Sequence, residues 1–459
     1  MLSGSKIYAF FARRKRTRLS PTQIIALAFA LIILLGAVLL TLPGASRSGE
    51  SCGFRPALFT ATSATCVTGL VLYDTWTQWS GLGQGVILCL IEIGGLGFIS
   101  AASFVIFLLR RKVGLRQRML MAQALSVNDM EGVVRLQKRV LTGSVSIQVV
   151  GVALLFFRFL PQFGWRRALR WGVFHAVSAF CNAGFDIWGC LEPGASLAPF
   201  RTDPIVSLTI MALIVLGGLG FFVWEDVITA RSLKKCSIYT KLVLIMSGGL
   251  ILFGAGAICL LEWNNPGTLG KMPWYQKLLD GFFQSVTTRT AGFASFDQGA
   301  MTEGGKAVSI LLMLVGGSSG STAGGMKTVT ILVLLLFLCS RLRGRSTVRV
   351  FRRTVPEQQV FDAMTLVSIV ILLAFFGAIF ICATSPVSFV DSLFETASAL
   401  ATVGLTAGVT PQLSVPAQIL IIIYMYFGRV GILTLSLGFL MGNRSEERYR
   451  YASTNLLIG

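Results

Sequence analysis

At 459 residues the chain is long enough for several soluble domains, but 54 % of its residues are hydrophobic, 13 % are charged and the mean hydropathy is +0.73. That balance excludes a string of soluble domains, and a single histidine with no CxxC pair excludes a Cys/His metal module. The net charge of +20 invites nucleic acid, but 27 of the 40 Lys and Arg sit in five short segments, which is the pattern of membrane topology instead.

The first basic segment runs to Arg18 and leads directly into the apolar run Thr22–Leu42, read as a first anchor and not a cleaved signal. Further charge-free runs follow at Val140–Phe157, Ile205–Trp224, Leu242–Leu261 and Ala363–Thr384. A bilayer crossing needs roughly 20 apolar residues, so the chain is expected to be an all-α polytopic membrane protein. The other basic segments are 110–139, 231–241, 341–353 and the tail from Arg444. Lys and Arg favour the cytoplasmic side, which places all five segments and both termini inside, against anionic inner-leaflet lipid.

Returning inside after each unit requires an even number of crossings. Two spans with a re-entrant segment between them satisfy this, giving four parallel membrane-pore-membrane repeats at 22–112, 139–231, 240–341 and 361–442. A basic N-terminus (1–21) and a tail (443–459) flank them. Parallel repeats exclude the inverted repeats of many secondary transporters.

Within each repeat a helix-competent stretch too short to cross precedes a polar loop ending in Gly and an apolar residue. The stretches are Pro56–Thr65, Trp171–Phe180, Lys277–Thr288 and Ser388–Leu400. The loops are Thr65-Cys66-Val67-Thr68-Gly69-Leu70, Phe180-Cys181-Asn182-Ala183-Gly184-Phe185, Thr288-Arg289-Thr290-Ala291-Gly292-Phe293 and Leu400-Ala401-Thr402-Val403-Gly404-Leu405. Their glycines fall 115, 108 and 112 residues apart. Four such loops around one axis form a ring of carbonyls able to replace the water shell of potassium, and Gly supplies the positive φ this requires. Ser63, Ser178, Val286 and Ser398 align in one column, and Ala64, Ala179, Thr287 and Ala399 in the next. Asp74, Asp186 and Asp297 lie just beyond their glycines and are candidates for an outer mouth that concentrates cations. Cys52 and Cys190 fall in external loops, and whether they pair is open.

A second glycine group follows each loop. Gly94-Gly95-Leu96-Gly97-Phe98 and Gly217-Gly218-Leu219-Gly220-Phe221 read as close helix packing through small residues. In the third repeat the run Gly316-Gly317-Ser318-Ser319-Gly320-Ser321-Thr322-Ala323-Gly324-Gly325 carries too many glycines for a helix, at about 1 kcal/mol each. The span is expected to break there into two half-helices of about a dozen residues with a flexible loop, a candidate gate. Met326-Lys327-Thr328 puts the lysine one residue away from its place in a phosphate-binding GxxxxGK[ST] loop, and no strand precedes it, so that reading is rejected. In the fourth repeat, Gly428-Arg429-Val430-Gly431 places a cation near mid-span, where it needs a polar partner. The glycine-rich loop is the natural one. Glu92 and Lys327 are weaker cases of the same kind. Arg289 is expected to support its loop from behind, and His175 to cap or support its short helix.

Taken together, these segments resemble the ion-conducting subunit of the Trk/Ktr/HKT potassium transporter superfamily, most closely its Ktr-type branch (KtrB/TrkH family). The likeness runs through the four loops, His175 to Asp186, Gln284 to Phe293, Thr402 to Thr406, Gly428 to Gly431 and the broken third-repeat span. It implies a pseudo-tetrameric, potassium-channel-like pore in each protomer of a homodimer, in the plasma (inner) membrane. It also implies a cytosolic nucleotide-binding regulatory subunit (the Ktr-type regulatory ring), with nucleotide bound on that partner and not on this chain. Gly69, Gly184, Gly292 and Gly404 would form the selectivity filter, and the loop around Gly316–Gly325 would gate together with Arg429. Sodium-preferring relatives carry Ser at the first-repeat glycine, so Gly69 points to potassium. A short N-terminus favours the Ktr-type branch. Potassium uptake is therefore the expected function, without a catalytic site; a sodium or weakly selective monovalent conductance is the alternative, and a rocking secondary transporter fits less well.

Overall fold

A computed structural model describes residues 21–97, 100, 103, 114, 132–351 and 353–431. Residues 1–20 of the expected cytoplasmic N-terminus, most of the basic segment 110–139, the end of the fourth repeat and the tail 443–459 lie outside the described residues.

Each repeat opens with a long apolar helix. These are α1 (Pro21–Thr41), α5 (Val133–Phe180), α8 (Ile238–Glu262) and α12 (Glu357–Thr384), and all four contain a stretch long and apolar enough to cross a bilayer. On α1, Leu27, Leu31, Leu34, Leu35 and Val38 are between 48 % and 58 % exposed, a density of bare leucine that suits lipid and not water. Boundaries follow local chemistry. Pro43 follows α1, the Ser237 hydroxyl accepts the Thr240 N–H at the start of α8, and Asp203 caps a helix whose first residue is Pro204.

A short helix then descends towards each loop: α2 (Phe54–Thr65), the last part of α5, α9 (Trp274–Thr287) and α13 (Phe389–Ala401). In the second repeat it begins earlier than the expected Trp171. Helix α5 runs on to Phe180 and changes direction only at Gly164, whose φ of 73° no helix accommodates. A single turn, α3 (Thr75–Gln78), follows the first loop.

The second spans are α4 (Gly81–Leu96), α6 (Pro204–Leu219) with α7 (Phe221–Ala230), α10 (Glu303–Leu314) with α11 (Thr328–Leu342), and α14 (Val415–Val430). The third splits as expected, into helices of 12 and 15 residues. The expectation that packing alone explains the Gly94–Phe98 and Gly217–Phe221 groups needs correction, and the group at Gly428 ends its helix in the same way. Gly97, Gly220 and Gly431 end their helices at φ 86°, 92° and 94°, and α6 meets α7 at 92°. The packing reading holds for the first glycine of each group. A Cβ on Gly94, Gly217 or Gly428 would lie 2.0, 2.0 or 2.3 Å from the carbonyl oxygen of Thr65, Phe180 or Leu400, at the end of a short helix.

Each long helix packs on the short helix of its own repeat, while the second span packs towards the next: α4 on α5, α6 on α9, α10 on α13 and α14 on α2. The last contact closes the circle. The fold is four parallel repeats arranged as a pseudo-tetramer, with a two-stranded hairpin (β1 Arg349–Val350, β2 Arg353–Thr354) between the third and fourth.

Candidate functional site

The four glycine loops meet at the centre of this circle. A Cβ on Gly69 would lie 2.6 Å from the Ala183 carbonyl oxygen, on Gly184 2.7 Å from that of Ala291, on Gly292 2.5 Å from that of Val403, and on Gly404 2.0 Å from that of Thr68. Each glycine therefore abuts the residue before the glycine in the following repeat, and the fourth abuts the first. A side chain at any of the four would require the neighbouring loop to shift.

Backbone handedness alternates through every loop. Val67, Asn182, Thr290 and Thr402 have φ of 57°, 59°, 69° and 52°, and the glycines two residues on have 99°, 67°, 82° and 95°. Non-glycine residues avoid that region, so four at the same register mark a constrained strand. Alternating handedness turns successive carbonyls to one side, the arrangement that coordinates a dehydrated monovalent cation.

Hydroxyls on the short helices fix these strands, and the serine column identifies most of them. Ser63 Oγ accepts the Gly69 N–H and Ser398 Oγ accepts the Gly404 N–H, both at 3.0 Å. Ser178 Oγ instead donates to the Phe185 carbonyl at 2.7 Å. In the third repeat Val286 fills the column and the adjacent Thr287 takes over, donating to the Phe293 carbonyl at 2.6 Å. Asn182 adds a tie between repeats. Its amide oxygen accepts from Thr290 Oγ1 at 3.2 Å while its nitrogen donates to Ile214 and Ala179 carbonyls.

Gly316 to Gly325 forms a folded loop under this ring. It is closed at its base, where the Gly316 N–H donates to the Met326 carbonyl at 2.9 Å. The N–H groups of Ser318 and Thr322 donate to the Gly218 and Gly217 carbonyls at 3.0 and 3.2 Å, and Ser318 Oγ donates to the Leu219 carbonyl. Those are the carbonyls that the break at Gly220 leaves without helical partners. Thr322 Oγ1 donates to the Phe180 carbonyl at 3.1 Å, Tyr239 Oη to the Ser319 carbonyl at 3.1 Å, and Ser321 Oγ to the Ser318 carbonyl at 2.7 Å. A Cβ on Gly324 would strike Thr402 Oγ1 at 2.0 Å, so the loop's far end sits directly against the fourth glycine loop.

Arg429 donates to the carbonyls of Thr322, Gly94 and Gly95. The sequence suggested the first partner; the other two are the carbonyls freed by the helix end at Gly97. Lys327 donates to the Ala323 carbonyl inside the loop itself, at 2.8 Å. Glu92 accepts from Gln148 Nε2 at 3.0 Å and from the Cys181 thiol at 3.3 Å. Arg289 points away from the axis, donating to the Ser247 carbonyl and hydroxyl of α8. His175 stacks on Trp188 at 3.7 Å, and its Nε2 accepts the Ile187 N–H at 3.1 Å.

The three outer acids do not form one ring. Asp74 caps α3 and also accepts the Gly194 N–H, Asp297 is exposed and closes a turn with the Gly299 N–H, and Asp186 is half-buried beside the second loop. Burial, and then the charge of Asp74, push the Asp186 carboxyl up to about 7. Cys52 and Cys190 both carry free thiols. Sequence reasoning passed over Tyr239 and the buried Glu395 of α13; an acid inside a pore helix was a signal in plain view.

Residues 8–449 match the family model TrkH, described as a cation transport protein. The chain is 40 % identical over 452 residues to the potassium/sodium uptake protein NtpJ of Enterococcus hirae, covering 97 % of this chain and 99 % of that one. It is also 40 % identical over 435 residues to the Ktr system potassium uptake protein B of Bacillus subtilis, covering 95 % and 96 %. Among solved structures, the potassium transporter TrkH from Vibrio parahaemolyticus shares the fold, with a TM-score of 0.71 at 17 % identity over 95 % of this chain and 88 % of that one. A chain whose four loops close into one ring, and whose sequence matches this family almost end to end, belongs to the TrkH family of cation transport proteins.

Proposed function

We propose that the protein carries potassium into the cell through the four-loop ring. The carrying observation is the closed contact of Gly69, Gly184, Gly292 and Gly404, each against the carbonyl of the next repeat. Val67-Thr68-Gly69, Asn182-Ala183-Gly184, Thr290-Ala291-Gly292 and Thr402-Val403-Gly404 supply the filter, and the loop 316–325 with Lys327 and Arg429 is the gate. Asp74 and Asp186 are the acids of the outer mouth; Asp297 contributes only long-range charge. An inside-negative potential drives entry, at about 2.3 kcal/mol per charge per 100 mV, so transport proceeds without a chemical step.

The protein acts in the plasma membrane as a homodimer with both termini cytoplasmic, under a cytosolic nucleotide-binding ring. The names of the Ktr system relatives support a partner subunit. A second reading, a conductance shared by potassium and sodium, draws on the name of the Enterococcus hirae relative. Purified protein in liposomes decides between them. Potassium-selective uptake that follows the imposed potential supports the proposal, and equal reversal potentials for the two ions replace it with the second reading.

A further inference from the structure

The short helices of the second and fourth repeats share a contact that the other two lack. The residue nine places before the loop glycine is His175 in one and Glu395 in the other, and both are fully buried. His175 Nε2 accepts the N–H of Ile187, three residues past Gly184. Glu395 Oε1 accepts the N–H of Ala407, three residues past Gly404, at 3.1 Å. The same two register positions are joined in both repeats by unrelated side chains. The first and third repeats carry a short Thr60 and an apolar Phe283 at this place.

Glu395 holds more than one group. Its Oε1 also accepts from the Thr406 hydroxyl, and its Oε2 accepts from Thr410 Oγ1 at 2.9 Å. Thr410 and Thr406 are themselves 3.0 Å apart, and Thr406 Oγ1 accepts the Gly408 N–H at 3.1 Å. Three donors thus converge on two oxygens, with all of them on the strand that leaves the fourth loop. A buried acceptor met by several donors is a rigid point, because each contact is lost at the cost of an orphaned polar group.

Following the ring order, the second and fourth repeats face each other across the axis. We propose that Glu395 and His175 are positioning residues for the filter, struts that fix the outward strands along one diagonal. Glu395, the more heavily bonded, is then a determinant of discrimination between potassium and sodium. Spacing of carbonyls, or their stiffness, is what separates two ions of equal charge. This inference rests on the reading of the four loops as a potassium filter.

The test is uptake into liposomes by purified full-length protein, with potassium and sodium in competition. Glu395→Gln keeps the shape and weakens the acceptor, and is expected to lower the potassium-to-sodium ratio about tenfold, equivalent to ~1.4 kcal/mol. His175→Gln, which still offers an acceptor, should keep more of the ratio than His175→Leu. Ser388→Ala, which removes the cap at the start of α13 about two turns before Glu395, should lower thermal stability and leave the ratio unchanged. If Glu395→Gln does not fold, Thr410→Val removes one donor and should reduce the ratio about threefold. A wild-type ratio in Glu395→Gln, or in Thr410→Val where that variant decides, overturns the strut. A wild-type protein with no preference for potassium overturns the filter reading itself.

Discussion

The guanidinium of Arg429, in the fourth repeat, donates to the carbonyl of Thr322, in the glycine-rich loop of the third. The same group reaches Gly94 and Gly95 in the first repeat, while Thr322 donates through its hydroxyl to Phe180 in the second. Two residues therefore connect all four quarters directly beneath the ring. The loop is held by groups that belong to its neighbours, so what it does depends on how firmly they hold.

Removing that hold should open the path. Arg429→Ala leaves three carbonyls without a charged donor, and hydrogen bonds to charged groups contribute about 1.5–3 kcal/mol each. Potassium flux in the absence of any regulatory partner is expected to rise at least about tenfold. Arg429→Lys should fall between, since one ammonium cannot span carbonyls that a planar guanidinium bridges. Wild-type flux in both variants would remove the clamp.

Tyr239 contacts the loop from the first turn of α8, next to the linker 231–237. Asp226 of α7 accepts both the Ser237 N–H and the Thr240 hydroxyl, which ties α7 to the start of α8. Tyr239→Phe deletes one neutral hydrogen bond to Ser319, worth about 0.5–1.5 kcal/mol. Basal flux measured by rubidium uptake should increase between about two- and tenfold. Deleting several residues between Gly316 and Gly325 should increase it further and abolish any response to the partner.

A side chain on the ring would force the neighbouring backbone to move. Gly69→Ala places a methyl group 2.6 Å from the Ala183 carbonyl oxygen, at a φ of 99° that alanine avoids. Backbone strain of this kind costs about 1–3 kcal/mol before any clash is counted. Potassium uptake should be lost or made unselective while the protein still reaches the membrane. The equivalent changes at Gly184, Gly292 and Gly404 should behave alike, and a harmless substitution at any one of them would break the four-part reading.

External pH should act through Asp186. Its carboxyl titrates near 7 in the folded protein against an ordinary value of 3.8, so the folded state binds more protons than the unfolded one between these limits. Stability therefore falls as pH rises from about 4 to about 7 and levels off above. Asp186→Asn should flatten that slope and raise the melting temperature at pH 8. In the opposite sense, acidifying the outside from pH 8 to pH 6 removes a charge from the mouth. It should slow uptake at low potassium in the wild type and leave Asp186→Asn unaffected.

Much of the site was legible because glycine at positive φ has almost no substitute. A near-constant period then made four loops more informative than one. The serine column was legible as an alignment, but not the role of its hydroxyls in fixing the loops, nor that Thr287 serves where Val286 stands. The helix ends at Gly97 and Gly431 and the break at Gly220 were not legible. In Gly94-Gly95-Leu96-Gly97 the first glycine packs and the last one ends the helix, and a single motif that does both reads as packing alone. The partners of Arg429 in the first repeat were hidden for another reason. They are main-chain carbonyls, which every residue has, made available only by a helix end that the sequence did not announce. Glu395 was visible as an acid in a pore helix, but its meaning depended on Ala407, Thr406 and Thr410 folding back over it.

The closed contact from Gly404 to Thr68 has a genetic consequence. In a pore assembled from four identical chains, one codon change alters every quadrant together. Here each quadrant has its own codons, so a mutation displaces one oxygen in four and leaves three as reference. A substitution in one loop therefore probes one quarter of the ring at a time, which a pore of four identical chains does not allow.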